Sequence, residues 1–214
     1  MDIIKKTSDF VKITLSGAEG GHDWWHIHRV LANTRTIAAA EQADLFICEM
    51  GALLHDIADP KFHNGDEKKG VHLAEEFLKQ NKVPEKQIKA ILKIIENISF
   101  SKNIDLNVNK SLELKVVQDA DRLDAMGAIG IARAFNYGGF KNRIMYDPAV
   151  PPKKYQNSAE YRNSGTPTIN HFHEKLLLLK DLMNTKTGKE MAEESHEFML
   201  LFLKEFHREW DNLM

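Results

Sequence analysis

The sequence contains a single cysteine, Cys48, among its 214 residues. Because the chain offers no second cysteine, an intrachain disulfide cannot form, and zinc sites built from several cysteines are excluded. A lone thiol inside an apolar stretch suits a reducing environment. We therefore predict a cytoplasmic location.

Long apolar runs are also absent, and neither sign of charge dominates. Nowhere do eighteen apolar residues follow one another, and the amino-terminal stretch MDIIKKTSDFVKITL is too often interrupted by charge for a signal peptide, so we expect no membrane partner. Lysine and arginine number 29 against 31 aspartate and glutamate, which gives a formal net charge of -2. This balance argues against a nucleic-acid partner but is compatible with a local basic pocket for a small anion.

The alternating pattern that is typical of strands is lacking as well. Apolar residues recur every three or four positions almost throughout, which predicts an all-α protein of about eight helices. We expect a single domain over 1–214, with a motif region at about 22–136 that carboxy-terminal helices at about 168–212 complete. Asp23 and Pro84 are residue types expected where helices begin. The predicted helices cover approximately 2–15, 23–42, 44–56, 69–81, 85–98, 110–136, 168–184 and 187–212.

The segment 138–167 interrupts this helical pattern before the last two predicted helices. It contains four of the six prolines of the chain and little periodicity. A connection of this length is typical either of a functional flap or of a disordered loop. Both interpretations remain open from the sequence.

Three segments concentrate side chains that can bind metal ions: GHDWWHIHRV at 21–30, LLHDIAD at 53–59 and VVQDADRLDAMGAIG at 116–130. Taken singly, these side chains are compatible with a core histidine, a helix terminus or a surface ion pair. Taken together, they offer two imidazoles and two carboxylates, a mixed nitrogen and oxygen set suited to a divalent ion. Such an ion would also offset the cost of burying the carboxylates. The four residues are His26, His55, Asp56 and Asp121.

The order His, then His-Asp, then Asp, in the contexts HDWWHIHRV, LLHDIAD and DADRLDA, resembles the HD superfamily of metal-dependent phosphohydrolases. The resemblance is closest to the bacterial subgroup that cleaves nucleoside triphosphates to monophosphate and pyrophosphate. It extends to DADRLDAMGAIGIARAF and INHFHEKLLLLKDLMNT, and so covers most of the chain. It implies a helical HD fold in which the same four residues bind one divalent ion, Mn, Mg, Ni, Co, Fe or Zn. It also implies a small-molecule phosphate substrate, a nucleotide, and a homodimer stays an open alternative.

The first of these segments contains two further histidines. His22 lies one turn before His26 and is either a residue that supports the ligands or a helix-start residue. His28 points away from the face that carries His26 and should be exposed.

Two further questions about the metal site stay open: which aspartate near 121 is the ligand, and whether a second metal ion binds. Asp124 could share a helix face with Asp121, whereas Asp119 does not lie on that face. A second metal ion, bound with the help of His63 and His72, is a further possibility.

Asp59 and Lys61 follow the His-Asp pair and are the candidate catalytic residues. Asp59 could orient the attacking water or hydrogen-bond a ligand imidazole, and it is equally compatible with a helix-end residue. Lys61 is the nearest cation and is also a candidate for binding the substrate phosphate. The other candidate substrate-binding residues are Arg122, Lys141, Arg143, His171 and Lys175.

The sequence therefore favours a metal-dependent phosphohydrolase in which the ion lowers the pKa of a bound water and holds a phosphoryl oxygen. Two other functions compete with nucleotide pyrophosphatase activity. One is an HD-type phosphomonoesterase that acts on nucleoside monophosphates or sugar phosphates. The other is a non-catalytic module that uses the metal to hold a nucleotide, and the complete set of four ligands argues against it.

Overall fold

The computed structural model describes residues 2–17, 21–57, 68–98, 110–155 and 165–210. Over these ranges the secondary structure is helical and contains no strand, which confirms the all-α prediction. Two short 3-10 turns cover Leu176–Leu178 and Lys180–Leu182. The α-helices are α1 (Ile3–Thr14), α2 (Trp24–Glu41), α3 (Leu45–Leu54), α4 (Lys68–Gln80), α5 (Glu85–Asn97), α6 (Leu112–Asp124), α7 (Gly127–Phe140), α8 (Asn170–Glu174) and α9 (Lys186–Trp210).

The chain divides into two compact units, Met1–Asp121 and Arg122–Met214. The first unit contains α1 to α5 and most of α6, and the second contains the remaining helices. The prediction of a single domain over the whole chain stays a prediction. None of the helices in the described ranges combines the length and the apolar composition needed to cross a bilayer.

Helix starts in the first unit follow the expected capping chemistry. The Asp23 carboxylate accepts a hydrogen bond from the main-chain N–H of His26 at 3.0 Å, and it caps α2 as the sequence indicates. Asp44 caps α3 in the same way through the N–H of Ile47 at 3.1 Å. Pro84 stands immediately before the first residue of α5.

Helix α3 forms the centre of the first unit. It packs against α1, α2 and α5, and every residue from Cys48 to Leu54 is buried. At Gly51 a Cβ atom would lie 3.0 Å from the Ile94 side chain, so glycine permits the close approach of α3 and α5. This buried helix ends directly before His55 and Asp56, and it therefore fixes the position of the His-Asp pair.

The second unit is built around α7 and α9, which pack against each other. Aromatic rings connect its elements. The Phe172 ring of α8 lies 6.2 Å from that of Phe135 on α7 and 5.7 Å from that of Phe202 on α9. Both residues that follow Pro167 also hydrogen-bond to the chain beyond α7, because Thr168 N–H donates to Ile144 and Ile169 N–H donates to Met145.

The prediction of one helix over 110–136 was wrong. The chain forms α6 and α7 instead, because Met126 is extended (φ -119°, ψ 171°) and Gly127 has a φ of +61°. The left-handed conformation is readily adopted by glycine and unfavourable for residues with a side chain. The apolar spacing continues across this break, so periodicity alone did not show it.

The prediction of one helix over 168–184 was also wrong. Helix α8 ends at Glu174, because Lys175 lies outside the helical region (φ -146°, ψ -56°), and the two 3-10 turns follow. The buried Glu174 carboxylate accepts hydrogen bonds from the Lys153 N–H and the Thr166 hydroxyl, both at 3.0 Å. Tertiary bonds of this kind outweigh the helix propensity of the leucine-rich sequence.

The predicted long loop overlaps the end of α7, which continues to Phe140. The structure describes the loop at 141–155 and 165–167. Whether the segment acts as a flap or as a connector stays open.

Candidate metal centre

The four predicted metal ligands lie in α2, directly after α3 and in α6, and all of them belong to the first unit. His26 lies in the first turn of α2, where the Asp23 cap receives its N–H, and the residue is only 2% exposed. His55 is the C-cap of α3, and Asp56 follows it. Asp121 lies in the last turn of α6.

The side chains of these residues converge. The Nε2 atoms of His26 and His55 lie 3.3 Å apart, and the Asp121 Oδ1 atom lies 3.5 Å and 3.8 Å from them, respectively. The Asp56 Oδ2 atom lies 4.0 Å from His26 Nε2. Neighbouring ligand atoms at about 2.1 Å from a divalent ion are roughly 3 Å apart, so these separations are somewhat longer than those of ligands that share one ion, and Asp56 is the farthest of the three from His26 Nε2.

The donor chemistry also fits a divalent ion. Among the described residues, His26, His55 and Asp56 each offer a ligand atom, and these atoms all lie within 4.8 Å of one another. Two neutral imidazoles and two carboxylates would balance the ion's double positive charge. The site is therefore suited to one of the borderline or hard divalent metals, and its ligands do not single one out.

The orientation of His55 is set by the helix that precedes it. Its Nδ1 atom lies 2.8 Å from the main-chain carbonyl oxygen of Ala52, which can only accept a hydrogen bond. Nδ1 therefore carries a proton, and Nε2 is the ring atom that lies near His26 and Asp121. A carbonyl partner of this kind is the usual support for a metal-binding histidine.

Asp56 has a second partner, His22, whose Nδ1 atom lies 2.6 Å from Asp56 Oδ2. Burial of Asp56 opposes its ionisation, but the charge and hydrogen bond of His22, together with His55 and His26, lower the pKa of the carboxyl group below its ordinary value. Asp56 is therefore ionised at neutral pH, as a metal ligand must be.

The structure distinguishes Asp121 from the neighbouring aspartates of α6. The Asp124 carboxylate accepts a hydrogen bond from Arg133 at 2.7 Å, and the same guanidinium nitrogen donates to the Asp124 carbonyl. Asp119 is completely buried. The Asp121 Oδ1 atom lies close to both imidazoles, which is consistent with its predicted role as the ligand.

The remaining histidines of the sequence prediction have separate positions. His28 is exposed, as expected, and its ring contacts those of Trp24 and Trp25. His72 is exposed on α4 and pairs with Glu76 at 3.3 Å. His63, like the predicted catalytic residues Asp59 and Lys61, lies outside the described residues, so the second ion and both catalytic roles stay predictions.

The other predicted substrate-binding residues all belong to the second unit. The Arg122 side chain is 6% exposed, and its guanidinium donates a hydrogen bond to the Leu182 carbonyl. The Lys141 ammonium lies 5.2 Å from the Phe140 ring centre, and the Arg143 guanidinium lies 5.6 Å from that of Tyr137. The half-buried His171 and Lys175 stand at α8 and directly after it. Their part in substrate binding stays a prediction.

The chain is similar to several known proteins. The family model of the HD domain matches residues 24–126. A solved structure from Lactobacillus plantarum is 37% identical, with a TM-score of 0.86, and the match covers 98% of this chain and 97% of that one. An HD-superfamily hydrolase from Bacillus thuringiensis is 45% identical over 97% of this chain and 96% of its own, with a TM-score of 0.76.

The uncharacterized protein YpgQ of Bacillus subtilis is a further relative. It is 38% identical over 201 residues, which are 94% of this chain and 90% of YpgQ. Its crystal structure in complex with ADP matches with a TM-score of 0.74 and 34% identity, over 96% of this chain and 97% of that one. The chain described here belongs to the HD superfamily, and its relatives include HD-superfamily hydrolases.

Proposed function

We propose that this protein is a metal-dependent phosphohydrolase that cleaves (deoxy)nucleoside triphosphates to monophosphate and pyrophosphate. The observation that carries the proposal is the convergence of His26, His55, Asp56 and Asp121 within the first unit. Two buried imidazoles beside two carboxylates form a donor set for which divalent-metal binding is the simplest explanation. The ADP complex of YpgQ supports a nucleotide as the substrate class.

A bound divalent ion would supply an activated water and an electrostatic contact for a phosphate oxygen. The residues of the chain hold this chemistry in place. The Ala52 carbonyl accepts a hydrogen bond from Nδ1 of His55 and so leaves Nε2 available to bind the ion. The Asp23 cap fixes the turn that carries His26. Asp56 and Asp121 would contribute the negative charge that holds a bound ion.

Asp59 and Lys61 complete the proposed site. Their closeness in sequence to the His-Asp pair supports a role for Asp59 in accepting a proton from the attacking water and for Lys61 in binding phosphate. Attack at the α-phosphate is supported by the family resemblance, and it would release pyrophosphate as one unit. Homodimer formation and a cytoplasmic location stay predictions.

The identity of the reaction products tests this proposal. Purified protein should be incubated with a deoxynucleoside triphosphate and Mn²⁺ or Mg²⁺, and the products separated by anion-exchange chromatography. We expect deoxynucleoside monophosphate and pyrophosphate in equal amounts, and an at least hundredfold lower rate for the Asp121→Asn variant, which keeps the shape of the side chain and loses its charge.

Other products would lead to different conclusions. Diphosphate and phosphate would assign the cleavage to the γ-phosphate, and nucleoside from a monophosphate would establish the phosphomonoesterase. Absence of turnover in a protein that binds metal would refute the nucleotide substrate. Full activity of Asp121→Asn would refute the role of Asp121 as a metal ligand. The matched control is His28→Asn, a substitution at an exposed residue, which should keep the wild-type rate.

A further inference from the structure

We propose that His22 is a positioning residue that orients Asp56 for metal binding through its Nδ1–H group. This inference rests on the metal centre of the proposed function. The Nδ1 to Oδ2 distance of 2.6 Å is short for a hydrogen bond between these groups, and it is typical of a charge-assisted one. The two residues are 34 positions apart in the sequence, so the contact joins separate parts of the site.

The direction of the hydrogen bond follows from its acceptor. The acceptor is a carboxylate, which binds a metal ion in its ionised form, and an ionised carboxylate can only accept a hydrogen bond. His22 therefore carries a proton on Nδ1. His22 is about one-fifth exposed and Asp56 about one-eighth, so water competes little for this bond.

The contact fixes the Asp56 carboxylate toward the other ligands. His22 binds Oδ2, the same oxygen that lies 4.0 Å from His26 Nε2. A carboxylate oxygen has two lone pairs, so it can accept from His22 and still bind an ion. A carboxylate that is already oriented loses less conformational freedom when the ion binds, and support residues of this kind change metal affinity by 10- to 100-fold.

His22 itself stands apart from the group of ligand atoms. Its Nδ1 atom is 2.6 Å from the Asp56 carboxylate, and a ring nitrogen that donates its proton in this way cannot bind a metal ion. The His22 ring approaches the His26 ring edge-on, with 6.0 Å between the ring centres. His22 therefore acts on the ion through Asp56.

Two substitutions separate this role from others. In His22→Asn the amide nitrogen stands as many bonds from Cα as Nδ1 does, so the variant keeps the donor, whereas His22→Ala removes it. Isothermal titration calorimetry with Mn²⁺ alone should give a wild-type affinity within about threefold for His22→Asn and a 10- to 100-fold weaker one for His22→Ala. His28→Ala, on the exposed side of α2, is the matched control and should bind as wild type.

A second measurement does not depend on the metal. Long-range ¹H–¹⁵N correlation spectra of the metal-free protein report which ring nitrogen of each histidine is protonated, and they should show a proton on Nδ1 of His22. This result is accessible even if a variant fails to fold, and circular dichroism checks the folding of each variant.

Several results would overturn the inference. Equal weakening in both variants would show that the imidazole itself is needed, and wild-type affinity in both would show that the contact has no role. An unprotonated Nδ1, or a wild-type protein without Mn²⁺ affinity, would refute it as well. If the expected affinities are found but nucleotides are not hydrolysed, the inference stands and only the proposed substrate falls.

Discussion

At the scale of single residues, Cys48 shows how the buried helix α3 controls side-chain chemistry. The thiol is completely buried, and desolvation, followed by the charges of Glu113, Asp44 and Glu49, raises its pKa from 9.0 to about 12. The thiol therefore stays protonated, and unreactive, at neutral pH. Its inertness agrees with a structural role in the core.

This raised pKa predicts a loss of stability at alkaline pH. In the unfolded chain the thiol ionises near pH 9, whereas in the folded protein it keeps its proton up to about pH 12. The contribution of Cys48 to the free energy of unfolding is therefore fully present below pH 9 and is lost as the pH rises toward 12. Denaturant unfolding at intervals between pH 7 and pH 11 measures this loss.

The Cys48→Ala variant provides the control, because it has no ionisable group at this position. Its free energy of unfolding should fall less steeply between pH 9 and pH 11 than that of the wild type. Identical slopes in the two proteins would show that the thiol does not ionise differently in the folded and unfolded states.

Single residues also show what the sequence could and could not predict about the site. His26, His55, Asp56 and Asp121, which the family resemblance implies as ligands, lie near one another, and their role as metal ligands stays a prediction. The contact of His22 with Asp56 was left open, since it depends on how the chain before α2 meets the end of α3. No spacing rule contains that information.

At the scale of elements, the junction of α6 and α7 depends on one glycine. The side chain of Ser195 on α9 lies 3.2 Å from where a Cβ atom of residue 127 would be, and the residue has a φ of +61°. A glycine shortly after a polar helix end is a usual helix-stop signal. Gly127 was therefore a sign of the break that the continuous apolar spacing concealed.

We expect Gly127→Ala to destabilise the protein by about 1–2 kcal/mol, since alanine is strained in the left-handed region. The matched control is Gly139→Ala, in the same helix, where φ is ordinary and the added methyl group meets no atom within 4 Å. That change should be neutral or stabilising by up to about 1 kcal/mol, because alanine favours a helix. Urea unfolding compares the two, and equal effects would contradict the proposed strain.

Contacts between elements also explain why residues 168–184 do not form the single helix that the sequence predicted. Leucines at 176–179 favour a helix, but the buried Glu174 carboxylate is held by Lys153 and Thr166, which come from either side of the segment 156–164. Which groups hydrogen-bond to a buried carboxylate depends on the tertiary structure and not on the local sequence. Sequence periodicity therefore predicted helical structure there without predicting its interruption.

At the scale of the whole molecule, the relatives share more than the HD motif region. The HD domain model ends at residue 126, shortly after the second unit begins at Arg122. The structures from Lactobacillus plantarum and Bacillus thuringiensis nevertheless match 98% and 97% of this chain. The second unit is thus common to these proteins.

The boundary between the units falls inside helix α6, between Asp121 and Arg122. Unfolding of either unit would remove part of this helix, and helix formation is cooperative. We therefore predict that the protein unfolds in one transition, as a single domain should.

Two reporters, one in each unit, can test this. Cys48 becomes reactive toward a thiol reagent when the first unit unfolds, because it is completely buried in the native state. In a Trp24→Phe, Trp25→Phe variant, the fluorescence of Trp210 reports the second unit, where its ring contacts Tyr146 and Phe206. Both reporters should give the same urea midpoint in that variant, and two separate midpoints would divide the chain into two independently folding domains.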